Sequence, residues 1–164
     1  NDESRAALGI AGDERIVLVT FGGIRQDEPL RLPDLANVRW LVAGAEPDCP
    51  KNAIHVSHLD MSFIDVIASC DAVMTKIGYG TFVEAACNGV GVVSMPRDDW
   101  PESAPLTEWM KLNANFSLIE GAGSDLSGLD AALASVLNAA RKAPMAASGV
   151  FEAVDVIDFI GKLS

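Results

Sequence analysis

The sequence predicts an α/β domain: a parallel sheet of about six strands with helices on both faces. Three observations carry that expectation. Short apolar runs rich in β-branched residues, such as Ile16–Phe21 (IVLVTF) and Val38–Ala43 (VRWLVA), lack alternation, which marks strands buried on both sides. Segments with apolar residues at helical spacing lie between them. Glycines stand where one pattern gives way to the other, most clearly in Asp71–Trp109, DAVMTKIGYGTFVEAACNGVGVVSMPRDDWPESAPLTEW. The order strand, glycine turn, helix, strand builds parallel sheets whose ligands sit at the carboxyl ends of the strands.

The elements follow in order. Ser4–Leu8 reads as a short helix stopped at Gly9. Strand Ile16–Phe21 ends at Gly22-Gly23, and Pro29 and Pro33 limit the next stretch to a loop with a short helical piece around Leu30–Ala36. Val38–Ala43 is the second strand and Ala53–Val56 a short third. A helix from Ser62 to Ser69 carries Phe63, Ile64 and Ile67 on one face. Strand Ala72–Thr75, a helix from Thr81 to its stop at Gly89, and strand Val90–Met95 form the central unit. A helix over Glu102–Asn113 and a last strand, Phe116–Ile119, come next. Ser127 begins a helix with Leu129, Leu133, Val136, Leu137 and Ala140 on one stripe; Arg141 and Lys142 close it against its dipole, and Pro144 prevents continuation. Val150–Leu163 is a final amphipathic helix.

With 164 residues, 49% of them hydrophobic, a single domain over 1–164 can bury a real core. A formal charge of −11 argues against a general nucleic-acid or anionic-membrane binder, since both need basic surface. It leaves room for a small anionic ligand, because a local nest of N–H groups works against the global field. Cys49, Cys70 and Cys87 are odd in number and match no metal spacing, which favours a reducing, cytoplasmic setting. No leader peptide is legible, and no apolar run reaches the roughly 20 residues of a transmembrane segment. Neither a cofactor nor a metal is expected.

The candidate site residues gather at predicted carboxyl edges. Gly22-Gly23 lets backbone approach a diphosphate without Cβ interference, and Arg25 adds charge nearby; a solvated arginine at a strand-ending turn is the plain alternative. Gly78-Tyr79-Gly80-Thr81 places two glycines, a hydroxyl and a helix start at one point, which suits a phosphate. Thr81 and Glu84 have the S/T-x-x-E spacing of a capping box, so Glu84 either reaches back to the Thr81 N–H or accepts hydrogen bonds from a ribose diol. Lys76, at a strand end where an apolar residue is normal, points to an anion or a cleft. Asp98, Asp99, Glu102 and Ser103 form an acidic loop able to bind sugar hydroxyls, with Trp100 as a stacking face; an ordinary solvated loop is the other reading. Adjacent carboxylates do not make the spaced pair of a glycosidase, and no third metal ligand is evident. His55 and His58, three apart in an extended segment, face opposite ways. No serine or cysteine pairs with a histidine as a nucleophile, so no catalytic residue is assigned.

Phe21-Gly22-Gly23, then Asp71–Arg97, then a polar loop and helix, resembles the carboxyl-terminal, donor-binding half of GT-B glycosyltransferases. The likeness is greatest to the family of the peptidoglycan N-acetylglucosaminyltransferase and the macrolide glycosyltransferases, whose pattern is met at Asp71, Gly78, Thr81, Glu84 and Gly89. The KIGYGT…E stretch with Arg97, Asp98, Trp100, Glu102 and Leu106 is also similar to a transferase-like region before some plant sugar-kinase domains. The resemblance implies a Rossmann-like domain binding a nucleotide-diphosphate sugar. Gly22, Gly23, Gly78, Gly80 and Thr81 would lie by the diphosphate, Glu84 by the ribose, residues near Leu59 by the base, and Asp98–Ser103 by the donor sugar. The amino-terminal acceptor domain of such enzymes is absent, so this chain alone would bind donor without transferring sugar. Two departures stand out: Gly89-Val90-Gly91 replaces G-x-P, and the acid-Gln or His-Gln pair of the sugar-facing loop is missing. A non-catalytic module beside a sugar kinase, or half of a nucleotide-sugar epimerase, uses the same scaffold.

Overall fold

A computed structural model describes residues 5, 8–10, 12–22, 30–44, 49–51, 53–121 and 124–161. Strands β1 (Arg15–Thr20), β2 (Val38–Ala43), β3 (Ile54–His55), β4 (Ala72–Lys76), β5 (Gly91–Met95) and β6 (Phe116–Leu118) form one parallel sheet in the order β3-β2-β1-β4-β5-β6. Its helices are α1 (Phe63–Ser69), α2 (Tyr79–Cys87), α3 (Ser103–Asn113), α4 (Leu129–Asn138) and α5 (Gly149–Gly161). This is the α/β, Rossmann-like architecture that the apolar runs imply.

Successive side chains of a strand point to opposite faces, so an unalternated run feeds two cores. Ile16 and Leu18 join Val73, Val92, Ile67, Phe82 and Met110 beneath α1, α2 and α3. Val17 and Val19 join Trp40, Met74, Val93, Leu133 and Val136 beneath α4. Each of the four β1 side chains is at most 2% exposed, and such burial contributes about 1.5–3 kcal/mol per side chain.

Several boundaries differ from expectation. Among the described residues of the β1–β2 crossover there is no helix: Leu30 and Leu32 instead plug the α4-side core from an irregular segment, and Pro33 uses its carbonyl to accept from Trp40 Nε1 at 2.9 Å. The third strand is cut to two residues because Val56–His58 turns into a 3-10 helix. That tighter winding brings the His55 and His58 rings to 5.7 Å, rather than turning them apart. In α1 the buried residues are Val66, Ile67 and Ser69, whereas Phe63 and Ile64 stay exposed. The Ser4–Leu8 helix lies mostly outside the described residues.

Helix α4 begins at Leu129 behind a left-handed Gly128 (φ 81°) and ends at Asn138, short of Arg141 and Lys142. Those two cations serve other helices. Arg141 donates to the carbonyls of Asn88 (3.0 Å) and Gly89 (2.9 Å) at the carboxyl end of α2. Lys142 Nζ donates to Lys111 O (2.8 Å) and Leu112 O (3.1 Å) in the last turn of α3. Free helix-end carbonyls are thereby satisfied, and positive charge faces two negative dipole ends. With the Met145 N–H donating to Ala86 O at 2.9 Å, residues 139–148 form a strap across the amino edge of the sheet.

Asp71 braces that same edge. Its Oδ2 accepts from the Ile16 N–H at 2.8 Å, and the carboxylate pairs with Arg15 (3.4 Å) and Arg5 (3.6 Å). Gly91 explains the missing proline of the G-x-P turn: a Cβ there would lie 2.3 Å from Val136 Cγ1. Helix α5 leaves Phe151, Val154, Ile157 and Phe159 exposed. Among the described residues no helix is long and apolar enough to cross a membrane.

Candidate functional site

Strands β1 and β4 are neighbours, but the chain leaves them in opposite directions across the sheet: β1 feeds β2, and β4 feeds β5. Such a reversal opens a crevice at the carboxyl ends of the strands. The register Val19↔Met74 sets Thr20 and Thr75, both buried, abreast at that end. Gly22 (φ 62°) then follows β1, and Gly78 follows β4, so the two glycines stand on one edge of the sheet beyond adjacent strands. Gly23 and Arg25 lie outside the described residues.

Gly78 is the N-cap of α2 with extended backbone, and no side chain caps the helix. The helix therefore starts at Tyr79, two residues before the predicted Thr81. The capping box is overturned by this: Thr81 sits inside the first turn, and the Glu84 carboxylate has no hydrogen-bond partner among the described residues. Both side chains are half-buried, while Tyr79 and Gly80 are exposed. The uncapped N–H groups of the first turn remain available, with the positive dipole end beside them.

Lys76 closes β4 with its stem partly exposed, but its ammonium is turned away from solvent and has no partner among the described residues. Burial, reinforced by the nearby Arg97 charge, holds its pKa below the ordinary 10.5. Sequence reasoning assigned Arg97 no role, although its position two residues past β5 was a signal. Arg97 Nη1 donates to Ile77 O at 3.3 Å, and its guanidinium lies 4.5 Å from the centroid of the Trp100 ring. Tyr79 packs against the same ring edge-to-face at 5.7 Å, and its hydroxyl donates to Glu102, which raises the phenol's pKa. Trp100 is thus engaged by two neighbours rather than left as an open stacking face.

The acidic loop is divided. Asp98 and Ser103 line a cleft of about 500 Å³ together with Ile77, Arg97, Trp100 and Thr107. Ser103 Oγ also donates to Arg97 O at 2.5 Å, which fixes the loop onto the start of α3. Asp99 is exposed and lies 3.9 Å from Arg97, and Glu102 accepts from Tyr79. Leu59, half-buried, follows the 3-10 turn after β3 and donates its N–H to Val56 O at 3.0 Å. Among the described residues no three His, Cys, Asp or Glu side chains gather in a group able to hold a metal.

Solved structures share this fold. Spinosyn forosaminyltransferase SpnP superposes with a TM-score of 0.55 at 17% identity, over 80% of this chain and 36% of that protein. The glycosyltransferase SnogD from Streptomyces nogalater gives 0.52 at 18%, over 80% and 39%. Os79 from O. sativa, solved in complex with UDP, gives 0.56 at 17%, over 80% and 33%. The fold is that of one domain of a GT-B glycosyltransferase, and the chain spans 33–39% of the length of these proteins. In sequence, 104 residues (61% of the chain) are 38% identical to L-arabinokinase of Arabidopsis thaliana, covering 10% of that enzyme. No protein-family model matches the chain.

Proposed function

We propose that this chain is the donor-binding half of a nucleotide-sugar glycosyltransferase. The observation that carries the reading is the crevice itself: Gly22 and the uncapped start of α2 at Gly78 flank the point where the strand order reverses. Backbone N–H groups there suit the diphosphate, with Gly23, Gly80 and Thr81 nearby in sequence. Glu84, with no hydrogen-bond partner for its carboxylate among the described residues, would accept from the ribose diol. Leu59 would border the base, and Arg25 would add charge at the Gly22 turn. Asp98, Asp99, Glu102 and Ser103 would face the donor sugar. Fixed dipoles would stabilise the departing diphosphate without a metal, and the acceptor would come from a second domain. The UDP complex of a structural neighbour supports this reading.

The L-arabinokinase match favours a second reading, a non-catalytic module accompanying a sugar kinase on the same scaffold. Calorimetry with UDP, ADP and GDP separates the two. Donor binding predicts affinity for at least one diphosphate, weakened about tenfold or more in Glu84→Ala and Lys76→Ala, one lost charged contact being enough for that. It further predicts that Glu84→Ala melts where the parent does, since the carboxylate caps nothing. Absence of heat with all three nucleotides would leave the accessory module standing.

A further inference from the structure

Lys76 and Arg97 occupy adjacent strand ends. β4 and β5 pair with Lys76↔Met95, so Arg97, two residues further on, stands beside the lysine. The two cations repel, and the Arg97 charge adds to burial in favouring the neutral form of Lys76. No buried carboxylate offsets them among the described residues. Among those residues Lys76 has no partner, and the Asp99 carboxylate is 82% exposed at 3.9 Å from Arg97, where a surface pair contributes little. Arg97 cannot drift away to relieve the strain, because Trp100 lies under its guanidinium and Ile77 O accepts from Nη1. Lys76, having no bond to break, can swing its tip outward freely. On a chain of net charge −11, a pair of like charges at the carboxyl ends of adjacent strands, one of them anchored, marks a place for a multiply charged anion.

We infer that Arg97, acting with Lys76, reads the number of phosphates on the ligand, so that the site takes pyrophosphate-bearing molecules in preference to monophosphates. A single phosphate satisfies one cation and leaves the other repelled. A pyrophosphate spans both, and the planar guanidinium donates two parallel hydrogen bonds to it, a bidentate contact that an ammonium does not reproduce. This inference rests on the nucleotide-binding reading and adds a specificity residue to it.

The test is calorimetry of the 164-residue chain with the diphosphate and monophosphate of whichever base binds, UDP and UMP first, for the parent, Arg97→Gln and Arg97→Lys. Arg97→Gln is expected to narrow the UDP-over-UMP preference about tenfold or more, with UMP affinity moving less than about twofold. Arg97→Lys is expected to keep part of the preference. Equal losses for UDP and UMP, or no change in their ratio, overturn the inference while leaving nucleotide binding intact. A parent that binds neither UDP, ADP nor GDP overturns both. Should Arg97→Gln fail to fold, competition on the parent decides. Inorganic pyrophosphate should displace bound UDP at a concentration about tenfold or more below that of orthophosphate, and equal displacement refutes the idea.

Discussion

Lys76→Met should stabilise the fold while weakening nucleotide affinity. The ammonium is shielded from solvent and has no partner among the described residues, next to a second cation. A buried polar group without a hydrogen bond costs about 1–3 kcal/mol in proteins. Lys76 belongs at the lower end, since its stem is partly exposed and its tip can escape. Methionine keeps the unbranched shape and removes the charge, so a gain of about 1 kcal/mol is expected. For a chain of this size that raises Tm by roughly 2–4 °C. The sign has a pH signature. Folded Lys76 holds its proton less tightly than the unfolded chain, so the penalty is complete below the lowered folded pKa. It disappears as pH climbs toward the ordinary 10.5. Differential scanning calorimetry from pH 7 to 10.5 should therefore show the advantage of the variant shrinking as pH rises. A Tm at or below that of the parent at pH 7 would mean the ammonium has a partner, and the argument would fail.

Two further substitutions probe the frame. Gly91→Ala pushes a methyl against the stiff, buried Val136, 2.3 Å from Cγ1, and should cost about 1–3 kcal/mol by urea denaturation. Val136→Ala should restore part of that loss, a coupling that a double-mutant cycle would show as non-additivity. Arg141→Met keeps length but removes the donors to Asn88 O and Gly89 O, and should cost about 1–2 kcal/mol, with hydrogen exchange accelerated at the carboxyl end of α2.

What the sequence revealed and what it hid divide along physical lines. The six strands were legible because Val, Ile and Leu runs such as IVLVTF leave no polar face, and only a doubly covered sheet buries both sides. The meeting of Gly22 and Gly78 on one edge follows from the sheet being parallel, which puts every strand's carboxyl end on the same side. Helix starts were less legible. Thr81 and Glu84 have the spacing of a cap, yet extended backbone at Gly78 starts the helix two residues earlier, and no side-chain pattern records that choice. The cations at Arg141 and Lys142 read as the close of their own helix because local sequence carries no trace of the α2 and α3 carbonyls they reach. Arg97 was overlooked as a site residue for the same reason: its neighbour Lys76 is remote in sequence and adjacent only across the β4–β5 pair.

The strap at 139–148 ties down the far ends of α2 and α3; the near end of α2 borders the crevice at Gly78, and that of α3 lines the neighbouring cleft. A protease that nicked the chain between Asn138 and Arg141 would cut no residue near the crevice. It would nevertheless free both rods to tilt about their inner ends, so damage at the floor of the molecule would be felt as slackness at its mouth.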